Sequence, residues 1–69
     1  MNKEEIKNAA IDKLPIVYVP TKNLYKILGL GKYKHPEGHW IQVVTFMNSD
    51  GDIFNRELHM FEKFKLLES

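Results

Sequence analysis

The chain is 69 residues long and 43% apolar, with ten basic side chains against nine acidic ones and no cysteine. That length allows one small domain; the apolar content excludes a disordered chain, and the missing cysteines exclude disulfides, thiol chemistry and cysteine-ligated metals. A net charge of +1 gives no general attraction for polyanions, and a domain burying only about 60% of its unfolded surface has little apolar area to spare for a deep, water-free pocket.

Residues 2–14 are expected to be helical. Asn2 is a capping residue, Glu4 and Glu5 lie in the first turn where the helix dipole favours acids, and Ile6, Ala10 and Leu14 recur at helical spacing. Pro15 ends the helix, because it disfavours helical geometry at Leu14. Ile16–Val19 is a short β-branched strand closed by Pro20–Asn23. Leu24–Tyr33 reads as a second strand, with Gly29 and Gly31 marking a bend or bulge. His35-Pro36-Glu37-Gly38 is a turn, and His39–Asn48 is expected to be the longest strand. Ser49–Asp52 reverses the chain as a hairpin into a fourth strand, Ile53–His59. Met60, Phe64 and Leu67 fall on one face of a final helical turn.

The third strand carries apolar residues on both faces, Ile41, Val43 and Met47 against Trp40, Val44 and Phe46, so it is expected to be central and covered on both sides. The fold class is therefore α+β and mainly β. A single domain spans 1–69, with a helix over 2–14 and a C-terminal helical turn over 60–68. Between them, 16–59 forms a small curved antiparallel sheet or SH3-like, partly open barrel of about four strands. The charged start Met1–Glu5 is unlike a secretory signal. No uncharged stretch reaches the ~18–20 residues needed to span a bilayer. A cytoplasmic location without membrane association is expected, and the lack of cysteine leans the same way.

Three segments together resemble a family of short bacterial and phage domains without assigned function: Tyr25-Lys26-Ile27-Leu28-Gly29, Val43-Val44-Thr45-Phe46, and Gly51 through Phe61 with Phe54, Arg56, Leu58, Met60 and Phe61 at the matching places. The resemblance covers roughly residues 22–62. This chain departs from it by carrying Glu57 where the family has proline, and by placing Gly31-Lys32-Tyr33-Lys34-His35 after the Tyr25–Gly29 segment rather than before it. The resemblance implies an SH3-like small barrel and, with the small size, an accessory or inhibitory protein of a phage or mobile element. It implies no reaction.

No catalytic constellation can be assembled, so the protein is not expected to be an enzyme, and no cofactor is implied. Gly29-Leu30-Gly31-Lys32 lacks the spacing of a phosphate-binding loop, and Asp50-Gly51-Asp52 lacks the remaining ligands of a calcium loop. His35 and His39 flank one turn with Glu37 between them, but there is no His-Glu-x-x-His signature, so these read as turn histidines and no metal site is expected.

Two binding readings remain. Tyr25, Tyr33 and Trp40 are the residue types that line aromatic grooves for protein segments, and Arg56, the only arginine, is the type enriched in recognition patches. The bland reading of the same four is core packing, with Arg56 ion-paired to Asp52, Glu57 or Glu62 and stacked on an aromatic ring. The second reading is nucleic-acid binding. From Lys13 to Pro36 there are five lysines and no acid, and Lys22, Lys26, Lys32 and Lys34 are interleaved with tyrosines, as in small barrels that bind single strands. Its bland counterpart is one solvated face of the second strand, where lysines also guard against aggregation. A protein partner is the first choice, and a homodimer through a Phe61-Phe64-Leu67 tail is compatible with either.

Overall fold

The computed structural model describes residues 1–67 as one helix and a five-stranded antiparallel sheet: α1 (Lys3–Ile11), β1 (Pro15–Tyr18), β2 (Asn23–Lys34), β3 (Trp40–Asn48), β4 (Ile53–Glu57) and β5 (Phe64–Leu66), with a 3-10 turn over Leu58–Met60. The strand order is β4-β3-β2-β1-β5, and the two outer strands do not pair with each other, so the curved sheet stays open rather than closing into a barrel. This is the expected mainly-β α+β architecture, with five strands in place of four.

The helix begins where the sequence indicates. The Glu5 N–H donates to Asn2 Oδ1 at 2.8 Å and the Asn2 N–H donates to Glu5 Oε1 at 3.0 Å, a reciprocal capping box. It ends three residues earlier than the expected 14. Lys13 adopts a left-handed φ of 54° and the Leu14 N–H reaches back to the Ala9 carbonyl at 2.9 Å, the Schellman closure that glycine usually provides. Ile6 and Ala9 are buried beneath the helix, while Leu14, expected on its apolar stripe, is exposed.

The β2–β3 and β3–β4 hairpin turns use one design. His35 N–H donates to the His39 carbonyl and Gly38 N–H to the His35 carbonyl; Asn48 N–H and Gly51 N–H make the same two bonds to Asp52 and Asn48. Gly38 (φ 99°) and Gly51 (φ 88°) hold the left-handed position that this three-residue loop requires.

The chain after β4 corrects the expectation of a helical turn over 60–68. Only Leu58–Met60 is helical, and Phe64–Leu66 becomes a strand paired antiparallel to β1, Ile16 opposite Leu66 and Tyr18 opposite Phe64; residue 68 lies outside the described residues. The physical reason is that β1 would otherwise be an unpaired edge. A lone helical turn is marginal, whereas ladder bonds to β1, extended by Val19 N–H to Lys63 and Leu67 N–H to Pro15, satisfy both backbones. The fourth strand correspondingly ends at Glu57 rather than His59, and β2, at 12 residues against nine for β3, is the longest strand.

One face of the sheet carries the core. Ile16, Ile27, Val44, Phe46 and Phe64 point to it, with Ile6 and Ala9 from α1 above and Phe61 packed in from the connection before β5. Phe61 stacks on Phe64 with centroids 4.5 Å apart and meets Phe46 edge-on at 5.4 Å. Because Phe61 and Phe64 are consumed there, no apolar Phe61-Phe64-Leu67 tail is left for a homodimer. Nor is β3 covered on both sides: among the described residues no layer lies over Ile41, Val43 and Met47, which remain half-buried on an open face.

The hairpin of β2 and β3 outruns its neighbours. β1 reaches only as far as Lys26 and β4 only as far as Val43, so Lys32–Gln42 forms a two-stranded arm, and the molecule measures 41 × 24 × 22 Å.

Candidate functional site

The register assigns each candidate residue to a face. Tyr25, Trp40 and Arg56 lie on the core-bearing side and Tyr33 on the open side. Tyr25 pairs with Asn48 at one end of the hairpin and Trp40 with Lys34 at the other, eight residues apart along β3 or roughly 26 Å at strand rise. The three aromatic residues therefore do not line one groove. Tyr25 is half-buried and meets Phe46, Phe54 and Phe64 edge-on at 5.4, 6.3 and 5.8 Å. Trp40 lies on the arm with 63% of its surface exposed.

The lysines divide for a reason invisible to simple alternation. Counted by twos, Lys22, Lys26, Lys32 and Lys34 share a face. A bulge at Leu28, between Ile27 and Gly29 in the register, inverts the rest of β2. Lys26 thus faces the open side opposite Met47, whereas Lys32 and Lys34 face the core-bearing side opposite Gln42 and Trp40. Lys22 leaves the pattern altogether, in the β1–β2 turn with a left-handed φ of 60°. What remains is a compact patch on the arm: Trp40 with Lys32 and Lys34.

Arg56 is the best-positioned polar group on the core-bearing side. Its guanidinium carbon is 5.9 Å from the ring centres of both Tyr18 and Phe64. The stacking expected from the sequence is present, but the ion pair is not: among the described residues the one ion pair joins His59 to Glu57. Arg56 borders a pocket of about 150 Å³ walled by Tyr18, Tyr25, Phe54 and Phe64, with Thr21 from the β1–β2 turn and Asn23 from the start of β2. That volume is below the ~300 Å³ at which drug-sized ligands are usually enclosed, and suits a single side chain or acidic group. Two of the four sequence candidates, Tyr25 and Arg56, meet here.

On the open side a broader trough of about 770 Å³ runs over Gly31, Val43 and Thr45 toward Asn55, Glu57 and Met60. Four of its polar side chains are already engaged, while Lys32 and Arg56 also line it. Thr45 Oγ1 donates to Asn55 Oδ1 at 2.7 Å, and Tyr33 donates its hydroxyl proton to Glu57 Oε1 at 2.8 Å. Glu57 also bonds His59 through Oε2. The His59 bond, then that of Tyr33, holds the Glu57 carboxyl below its ordinary range, and the same carboxylate holds the Tyr33 phenol above its own. The trough's open donors are those of Lys32 and of Arg56, which it shares with the smaller pocket. The Tyr33–Glu57–His59 cluster was not foreseen. Its first two members are 24 residues apart, and only the strand register brings them together.

At the tip of the arm, His35 and His39 stack with ring centres 4.5 Å apart and planes 12° from parallel. With Glu37 they place three donor atoms within 4.8 Å of one another.

Comparison of the chain with family models, curated proteins and solved structures gave no match. Among the described residues no helix is long and apolar enough to cross a membrane.

Proposed function

We propose that the protein is a non-catalytic binding module that holds an acidic side chain or chain terminus of a protein partner at Arg56. The observation that carries this reading is an exposed guanidinium, spread on Tyr18 and Phe64 beside an aromatic-walled pocket, with no carboxylate among the described residues paired to it. Arginine fixed on aromatic rings presents its donors to a carboxylate with little entropy left to lose. Tyr25 supplies the pocket wall. Trp40 and Tyr33, farther along the hairpin, extend the contact surface only for a partner that follows the arm.

A second reading rests on a separate observation, an exposed Trp40 flanked by Lys32 and Lys34 on one face of the arm. Stacking on an aromatic with lysines beside it is the chemistry of single-strand nucleic-acid binding. Lys22 and Lys26, turned elsewhere, take no part in it.

The deciding experiment is capture from lysate with the wild type, Arg56→Lys and Lys32→Glu/Lys34→Glu, with and without nuclease, at two salt concentrations. A defined protein that survives nuclease and is lost on Arg56→Lys supports the first reading, because lysine cannot reproduce the stacked fork. Nucleic acid that is recovered by the wild type and by Arg56→Lys but lost with the lysine variant overturns it in favour of the second.

A further inference from the structure

We propose that the tip of the β2–β3 arm is a binding site for a divalent first-row transition ion such as Zn²⁺, with His35, Glu37 and His39 as its protein ligands. The turn holds these donors together before any ion arrives. Two backbone bonds close it, His35 N–H to His39 at 2.7 Å and Gly38 N–H to His35 at 2.8 Å, and Pro36 and the left-handed Gly38 restrict the loop between them. The imidazoles lie side by side in consequence, and the Glu37 carboxylate belongs to the same cluster.

Donors around a tetrahedral ion with bonds of about 2.0–2.1 Å stand about 3.4 Å apart. From 4.8 Å or less, the cluster closes by side-chain rotation of little more than about an ångström, with no change of backbone. Two imidazoles and one carboxylate with open positions suit Zn²⁺, Ni²⁺ or Cu²⁺, whereas Ca²⁺ and Mg²⁺ require oxygen ligands. One contact is given up. His35 Nδ1 accepts the Glu37 N–H at 3.2 Å; ligation through Nδ1 replaces that bond, and ligation through Nε2 moves the proton onto Nδ1. The bond is long and exposed, so its loss is a small cost beside two metal–imidazole bonds. Both imidazoles must be neutral to bind, so acid releases the ion. Nothing in this site depends on the Arg56 reading.

The test is isothermal titration of the untagged full chain with ZnCl₂, together with amide-resolved NMR. One ion per chain is expected, with shifts concentrated over Lys34–Ile41. His35→Gln and His39→Gln should each weaken binding at least about tenfold. Glu37→Gln should weaken it less, His59→Gln should leave it unchanged, and MgCl₂ should produce no shifts. The variants lie on an exposed turn, and an undisturbed NMR spectrum of the remaining residues verifies that each is folded. Absence of saturable one-to-one binding overturns the site, as does Zn²⁺ binding that survives His35→Gln/His39→Gln or is lost equally on His59→Gln.

Discussion

Tyr33 donates its hydroxyl proton to Glu57 at 2.8 Å, a bond that passes over β3 to join β2 with β4 on the open side of the sheet. The carboxylate is shared, since Glu57 also holds His59. Tyr33 and Glu57 are thus coupled, each shifting the other's titration.

The Tyr33 phenol should therefore titrate above 10.0, and Glu57→Gln should bring it back toward that value. Ring-proton NMR between pH 8 and 12 checks this. If Tyr33 titrates identically in the variant, the bond is absent in solution.

For Glu57 the folded pKa is lowered, so the charged form is favoured by folding. Its contribution to stability is present above about pH 4.5 and lost as the pH falls through the folded value. Urea midpoints between pH 3 and 6 should fall with acid less steeply in Glu57→Gln than in the wild type. A larger acid sensitivity in the variant would contradict the assignment.

Phe61 is fully buried, stacked on Phe64 and edge-on to Phe46. Phe61→Ala should cost about 3–5 kcal/mol, a large part of the roughly 3–10 kcal/mol that a domain of this length possesses. Ile11→Ala, at a residue 75% exposed, should change stability by no more than about 0.5 kcal/mol. Denaturant unfolding of the two variants distinguishes a core built on Phe61 from one that merely includes it.

Lys13 and Lys22 adopt left-handed φ angles of 54° and 60°. A side chain there is strained where glycine is not, so Lys13→Gly should raise stability by about 0.5–1 kcal/mol despite the freer unfolded chain. Gly38→Ala should lower it by about 1–2 kcal/mol, because φ is 99° at that position. Thermal melts with the opposite ordering would refute the backbone assignment.

Local chemistry made much of this fold legible. Asn2 with Glu5 marked the start of the helix, and the two glycine turns and the β-branched runs marked three hairpin strands within a residue or two. Three features carried no such local signal. The helix ended at a left-handed lysine, which carries no glycine signal. Phe64–Leu66 became a strand because β1 needed an edge partner from far along the chain. The bulge at Leu28 reversed the faces of Lys32 and Lys34, and so separated a lysine row that alternation makes continuous. Of the candidate site residues, Arg56 on aromatic rings was readable from its neighbours Phe54 and Leu58. The identity of those rings, Tyr18 and Phe64, required the sheet order.

Trp40 should report directly on the arm. With 63% of its surface exposed, it should emit as a water-exposed indole, be readily quenched by iodide drawn to Lys32 and Lys34, and leave stability within about 0.5 kcal/mol when changed to Ala. A blue-shifted, quencher-resistant emission from the monomer would mean that the arm folds back onto the body.

Because no third strand accompanies Lys32–Lys34 or Trp40–Gln42, that part of the ladder has a single backbone neighbour, with the Tyr33–Glu57 bond and the half-buried Ile41 and Gln42 tying it to the body. Its amide protons should exchange with solvent through local opening, without waiting for the body to unfold, while those of Ile27, Val44 and Phe46 exchange only in the global event. The chain then has two thresholds of cooperativity, and the arm is able to fray, tilt and reclose around whatever it meets while the helix-covered sheet behind it stays intact.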